Sequence, residues 1–204
     1  MWTTSLAAAA LLIVLSSCGG EDKPLRDARE DDLRQLVLQQ DDVDTSSGQI
    51  GKSCDRSGPD AEYPLSGAAK SYSVEYDLTG SQAQRMSCLL SEVGVYRSKD
   101  AALSELKGFD ALFFEGERVA VKGTDLTAQK IKVPDLGGYS SGFVIECPSC
   151  SELTSRTYTV QIQQGNVRSL ILVSAGRDEA VVEQVIGYAE KQEERIRRVL
   201  QETQ

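Results

Sequence analysis

The chain predicts an α+β fold, with one antiparallel β-sheet of about five to six strands packed on one face by helices in a single domain. Three observations lead there. Strand-like segments crowd the last third and are joined by short turn signals. Helical stripes stand at the start, the middle and the end of the chain. The roughly 190 residues that follow an N-terminal apolar run suit one core better than two.

The elements follow in order. Leu33, Leu36 and Val37 recur at helical spacing, with Arg34, Gln35, Gln39 and Gln40 opposite them, which predicts a short amphipathic helix. Asp41 to Ala69 is rich in Gly, Ser, Asp and Pro and shows no period; a loop of that length in a compact domain is functional or clamped. Tyr72, Val74, Tyr76 and Leu78 alternate with polar residues as a half-buried strand. Met86 to Tyr96 is a second strand. Its alternation slips between Leu89 and Val93, as a bulge or burial on both faces would produce, and Gly94 is the expected irregularity. Ser98 suits the N-cap of a helix from Lys99 to Phe114, whose face of Ala102, Leu103, Leu106, Phe109 and Phe113 is interrupted by Asp110. Short strands are expected at Val119 to Val121 and Gln129 to Val133. Longer ones are expected at Gly142 to Glu146, Arg156 to Gln163 and Val167 to Ser174, the last two joined by Gln164-Gly165-Asn166, with Gly and Asn supplying positive φ. A long helix opens at Asp178, striped by Val181, Val182, Val185, Tyr188, Ala189, Ile196 and Val199.

Leu15-Ser16-Ser17-Cys18 closes the apolar run Leu6 to Leu15, which is too short to span a bilayer. The stretch resembles the lipobox at which bacterial lipoprotein precursors are lipidated and cut. That resemblance implies a signal peptide over residues 1–17, acyl chains of the palmitate class on Cys18, and an extracytoplasmic, lipid-anchored location in a cell envelope. Residues 18–32 read as a lipidated, solvated tether because they hold almost no apolar side chain. Residues 33–204 form the domain. The net charge of −9 argues against nucleic acid and against anionic lipid heads as partners, so attachment to the membrane falls to the lipid.

Four further cysteines, Cys54, Cys88, Cys147 and Cys150, are an even number in a chain expected to leave the cytoplasm, which makes disulfides the default. Four cysteines allow three connectivities; Cys147 and Cys150 are close enough to pair, leaving Cys54 for Cys88. The Cys147-Pro-Ser-Cys150 motif follows a strand rather than opening a helix, and Glu146 beside it raises a thiol pKa, so a structural bridge outranks thiol exchange or a metal site. The chain has no histidine, which removes the usual general base of a catalytic triad and the commonest nitrogen ligand of zinc. The carboxylate pairs Asp31-Asp32, Asp41-Asp42 and Glu193-Glu194 read as surface charge. Gly137-Gly138 reads as a turn and not as a phosphate loop. The aromatics at loop edges, Tyr63, Phe114 and Tyr139, read as core or rim packing before ligand contacts. No cofactor, catalytic residue or metal ligand is indicated, and no ligand-binding residue can be named.

Several segments carry a family resemblance. They are Leu36-Val37-Leu38-Gln39-Gln40-Asp41-Asp42-Val43, the stretch from Tyr96-Arg97-Ser98 to Leu103, Val133-Pro134-Asp135-Leu136-Gly137, and Gln163-Gln164-Gly165-Asn166-Val167 with the strand and helix that follow. In this order they resemble the extracytoplasmic sensor domain found on some bacterial serine/threonine kinases and on stand-alone lipoproteins. The resemblance spans most of Leu33 to Leu200. It implies a disulfide-stapled α+β sandwich with a groove between sheet and helices that takes an unidentified ligand. The expected function is a non-enzymatic ligand-binding or sensing module at the membrane, with the groove beside the loop Asp41 to Ala69. Two alternatives belong to other classes: a structural or assembly lipoprotein engaging an envelope protein, and a thiol–disulfide exchange protein using Cys147 and Cys150.

Overall fold

The computed structural model describes residues 25–43, 56–57, 65, 67–77, 86–113, 118–120, 125–148, 156–175 and 180–201. A 3-10 turn at Glu30–Asp32 runs into α1 (Leu33–Leu36). The strands are β1 (Arg56–Ser57), β2 (Lys70–Asp77), β3 (Met86–Val95), β4 (Arg118–Ala120), β5 (Thr127–Ile131), β6 (Tyr139–Glu146), β7 (Arg156–Gln164) and β8 (Val167–Ala175). Helix α2 (Lys99–Phe113) follows β3, and α3 (Ala180–Gln201) follows β8. All strands join one antiparallel sheet in the order β1-β2-β3-β8-β7-β6-β5-β4.

The expected α+β class and antiparallel sheet hold, and the sheet is wider than expected. Eight strands stand where about five to six were predicted, because short edge pieces pair with it; β1 lies inside the segment read as an unstructured loop. The chain crosses once, from β3 at the centre to β4 at the far edge, and meanders back so that β8 pairs with β3. That single crossover carries α2.

The crossover also decides which face α2 covers. The first face of the sheet presents Val74, Tyr76, Leu89, Val93, Ile171, Val173, Val160, Ile162 and Val144 to α1 and α3, whose Leu33, Leu36, Val181, Val185, Ala189 and Ile196 complete the main core. Alternation sends the neighbouring residues of each strand to the second face. There α2 lies, with Phe109 against Phe143 (ring centroids 5.7 Å apart) and beneath it Arg168 and Ser141. Helices thus cover both faces, where one had been expected. The stripe on α2 announces an amphipathic helix but not the face it meets.

Three local expectations are corrected. Helix α1 stops at Leu36: Val37 is extended (ψ 159°), and Leu36, Val37 and Leu38 are buried as a strap beneath α3. The irregularity in β3 lies between Met86 and Cys88, not at Gly94, which pairs regularly with Arg168. Gly94 is needed for a different reason, since a Cβ there would come within 3.0 Å of Ala68 Cβ and 3.1 Å of Leu65 Cδ1. In the β7–β8 turn only Gly165 has positive φ (58°); Asn166 does not, which matches a hairpin turn with glycine in its first central position.

Asn166 is instead buried, and its side chain holds three pieces of chain together. Ala28 N donates to Asn166 Oδ1 (2.7 Å), while Asn166 Nδ2 donates to the carbonyls of Ala28 and Tyr96 (3.0 Å each). Tyr96 N donates to the Asn166 carbonyl (2.9 Å). Arg26 completes the docking, bonded through its backbone N to Leu200 O at the end of α3 and through its guanidinium to Asp32 (2.7 and 2.9 Å). Part of the expected tether, residues 25–32, therefore belongs to the folded body, held by backbone and charge contacts together with Ala28 in the core and Leu25 packed against it. The Arg26 guanidinium holds the Asp32 carboxyl below the usual range. An Asn166→Ala chain should lose about 2–4 kcal/mol in urea unfolding, since several buried partners are left unpaired at once. Exchange of the Ala28 amide should accelerate in the same variant. A loss under about 0.5 kcal/mol would rule out the clamp.

Candidate functional site

The second face of the sheet is polar, and the register lays it out in rows. One row runs Ser73, Glu92, Leu170, Gln161 and Ser141 across five adjacent strands. The next runs Ser71, Gly94, Arg168, Gln163 and Tyr139, and the row on the other side runs Glu75, Leu90, Leu172, Thr159 and Phe143. Ser73, Glu92, Gln161, Gln163, Arg168, Ser141 and Thr159 are all buried. Leu170 and Leu172, at the centre of the face, are only half-buried, whereas Ile171 and Val173 on the opposite side of the same strand are sealed. Cys88 and Glu75 are half-buried too. The face beside α2 forms a trough only at its centre, where Leu170 and Leu172 are half-buried; the polar groups around them are sealed.

At its α2 edge Tyr139, Ser141, Ser98 and Arg168 have partners. Tyr139 and Ser141 donate to the two oxygens of Asp110 (2.9 and 2.8 Å), which explains the acid in the apolar stripe of α2. Burial, and then the bond to Asp110, pushes the Tyr139 hydroxyl up. Ser98 caps α2 through its Oγ, bonded to Ala101 N (3.1 Å). Arg168 donates through Nε (3.0 Å) and Nη2 to Gln161 Oε1, and its guanidinium lies 5.3 Å from the Phe109 ring centroid.

Toward the centre the partners run out. Both carboxylate oxygens of Glu92, Nε2 of Gln161 and Oε1 of Gln163 are buried without a hydrogen bond. Glu92 is 1% exposed. Burial pushes its carboxyl up to about 7 against the opposing pull of Arg168, so it sits near half-ionisation at neutral pH. A buried carboxyl without hydrogen bonds costs stability, and native proteins place few of them.

The predicted site residues fall elsewhere or are not described. Cys18, Cys54, Cys150, Tyr63 and Phe114 lie outside the described residues, as does most of the loop Asp41 to Ala69. Its far end reaches the polar face, where Leu65 and Ala68 pack over Gly94. Cys147 follows β6 directly, and Cys88 lies on β3 with its Sγ 3.1 Å from Glu75 Oε1. Asp41 and Asp42 are held by Arg195 (Nη2 to Asp42 2.6 Å, to Asp41 3.6 Å), a structural pairing. Glu92, Gln161, Gln163 and Arg168 were not singled out from sequence. The signal was the slipped alternation of β3: a strand buried on both faces makes a glutamate in its middle conspicuous. Among the described residues no cluster of three acidic, cysteine or histidine side chains could hold a metal, and no helix is long and apolar enough to cross a membrane.

No protein-family model matches the chain, and no curated protein does. Solved structures are more informative. The crystal structure of the extracellular domain of PknH from Mycobacterium tuberculosis superposes with a TM-score of 0.56 at 13% identity, covering 84% of this chain and 99% of that one. The two share a fold. The likeness to the PknH extracellular domain agrees with the architecture that the sensor-domain resemblance implied, and at this identity it speaks of architecture alone.

Glu92 sets the sign of a pH effect. Its folded pKa is raised from 4.5 to about 7, so its contribution is fully present below about 4.5, declines as pH rises between the two values, and is flat above. Relative to Glu92→Met, the natural chain should lose of order 3 kcal/mol across that window. Parallel urea curves at pH 4.5 and 7.5 would show it, and equal slopes with pH in both chains would dismiss the buried-carboxyl account.

Proposed function

We propose that this chain is an extracytoplasmic lipoprotein, anchored through acyl chains on Cys18, whose domain binds a ligand non-enzymatically in the trough beside α2. The observation that carries this reading is Glu92, a carboxyl buried in the sheet with both oxygens unpartnered at the edge of a half-open leucine floor. A group that destabilises the empty fold is what a binding site retains, because a ligand supplies the missing partners. The fold shared with the PknH extracellular domain supports a location outside the cytoplasm and a sensing role.

The bridges complete the proposal. Cys147 and Cys150 would close the β6–β7 connection, and Cys54 would bond Cys88, tying the loop Asp41 to Ala69 to the trough's rim. The Cys88 thiol sulfur sits beside Glu75, on the row that carries Leu172.

Expression of the full chain in a bacterial envelope tests the anchor. The natural protein should partition into membranes and Cys18→Ala into the soluble fraction, and membrane attachment that persists without Cys18 would refute lipidation there. Mass spectrometry of non-reduced digests should find Cys147 joined to Cys150 and Cys54 to Cys88. Native mass spectrometry of the protein taken from its own envelope should show a small molecule that Glu92→Met no longer retains.

A further inference from the structure

The docked segment ahead of α1 limits how this domain can stand on a lipid surface, an inference that rests on the anchor at Cys18 proposed above. Residues 25–28 dock at one end of the body. Ala28 is buried and clasped by Asn166 in the β7–β8 turn (2.7 and 3.0 Å), and Leu25 packs against the core. Arg26 reaches the last turn of α3, through its backbone N to Leu200 O and through Nη2 to Val199 O (3.3 Å each). Helix α3 starts at the other end, because β8 leaves the turn at Val167 and has crossed the sheet by Ala175.

Two lengths then decide the pose. Six residues, 19–24, separate Cys18 from Leu25, so the reach from an acylated Cys18 to the docked chain is at most about 25 Å. With residues 25–32 undocked, the reach from Cys18 to Leu33 would be about 50 Å. The body lies between these figures, since the 22 residues of α3 extend about 33 Å from the docked end to the other. An inverted domain, with the first turn of α3 against the lipid, would raise Leu25 by about that distance. The short tether forbids that pose and the long one permits it.

We propose that the clasp of residues 25–28 by Asn166 shortens the tether enough to keep the β7–β8 turn and the last turn of α3 toward the lipid surface, with the end that bears Cys88 and Cys147 turned away from it. The test uses the full lipidated chain in phosphatidylcholine vesicles that carry an energy-transfer acceptor on their headgroups. A donor dye is attached through a ketone-bearing residue in place of Arg197 or of Glu183, exposed positions near the two ends of α3. The donor at 197 should lie nearer the acceptors, by up to about 20 Å, the helix rise between the two positions. A Gly-Ser insertion after Gly20, as long as residues 25–32, restores the longer reach without touching the fold and should cut that difference about twofold or more. Asn166→Ala should do the same by releasing Ala28, and Arg26→Ala, which spares the buried amide, takes its place if Asn166→Ala does not fold. A donor at 183 that is as near as the donor at 197 in the natural chain overturns the pose. A difference that survives the insertion overturns the tether's control of it, and one that survives the clasp variants but not the insertion overturns the role of the clasp. Failure of the natural chain to stay with the vesicles overturns the lipid anchor itself, and the pose with it.

Discussion

The fold hangs on Asn166. Its amide occupies the one place where the N-terminal segment, the end of β3 and the β7–β8 turn converge, and it satisfies backbone groups on the first two while its own carbonyl receives Tyr96 N. Each of those groups is buried beyond the reach of the sheet ladder, so without the amide they would be left unpaired. A second buried amide works at a distance. Gln192 on α3 donates to Leu36 O and accepts from Leu38 N (3.1 Å) and from Ser91 Oγ (2.6 Å), which pins the strap after α1 between α3 and β3. Two side chains thus fix the position of an N-terminal segment too short to build a core of its own, and the hydrophobic residues Leu36, Val37 and Leu38 are buried because those amides hold the backbone there.

Much of this was legible in the sequence. The α+β class, the limits of α2 and α3 and the last three strands follow from apolar periodicity, which registers long elements with one buried face. What periodicity misses is what happens when both faces are buried. β7 and β8 lie between α2 and α3, and β3 beside them is buried on both faces, so Glu92, Gln161, Gln163 and Arg168, which look like solvent-facing alternates, are interior. The turn signal Gly165-Asn166 was read correctly as a turn and incompletely as chemistry: Gly165 supplies the backbone angle, and Asn166 supplies the clamp. Residues 25–32 misled because their apolar content is slight, yet Ala28 is buried in the core and fixed there by hydrogen bonds, which no hydropathy pattern registers.

The two faces of the sheet divide the work. The first face is dry, apolar and covered by α1 and α3, and it supplies the burial on which stability rests. The second carries a row of polar residues, and one of them, Glu92, opposes folding at neutral pH. A domain can hold such a group only if the opposite face has stability to spare, so the apolar core under α3 is what permits the trough. Consistency across levels breaks at Glu92 and at its neighbours Gln161 and Gln163, and functional sites are where such breaks concentrate.

The direction of the strands then relates the trough to the N-terminus. Asn166 lies at the turn end of β7 and β8, the same end at which residues 25–28 dock and at which Gly94 and Arg168 stand. Moving along the strands away from that turn, the polar face passes Glu92 and Leu170 and reaches Leu172, Cys88 and Glu75, where its residues become half-buried. Half-buried residues thus stand at both ends of this face, Leu172, Cys88 and Glu75 at one and Ser71 and Tyr139 at the other. The position of the docked N-terminal segment is thus set by one turn and by the asparagine inside it.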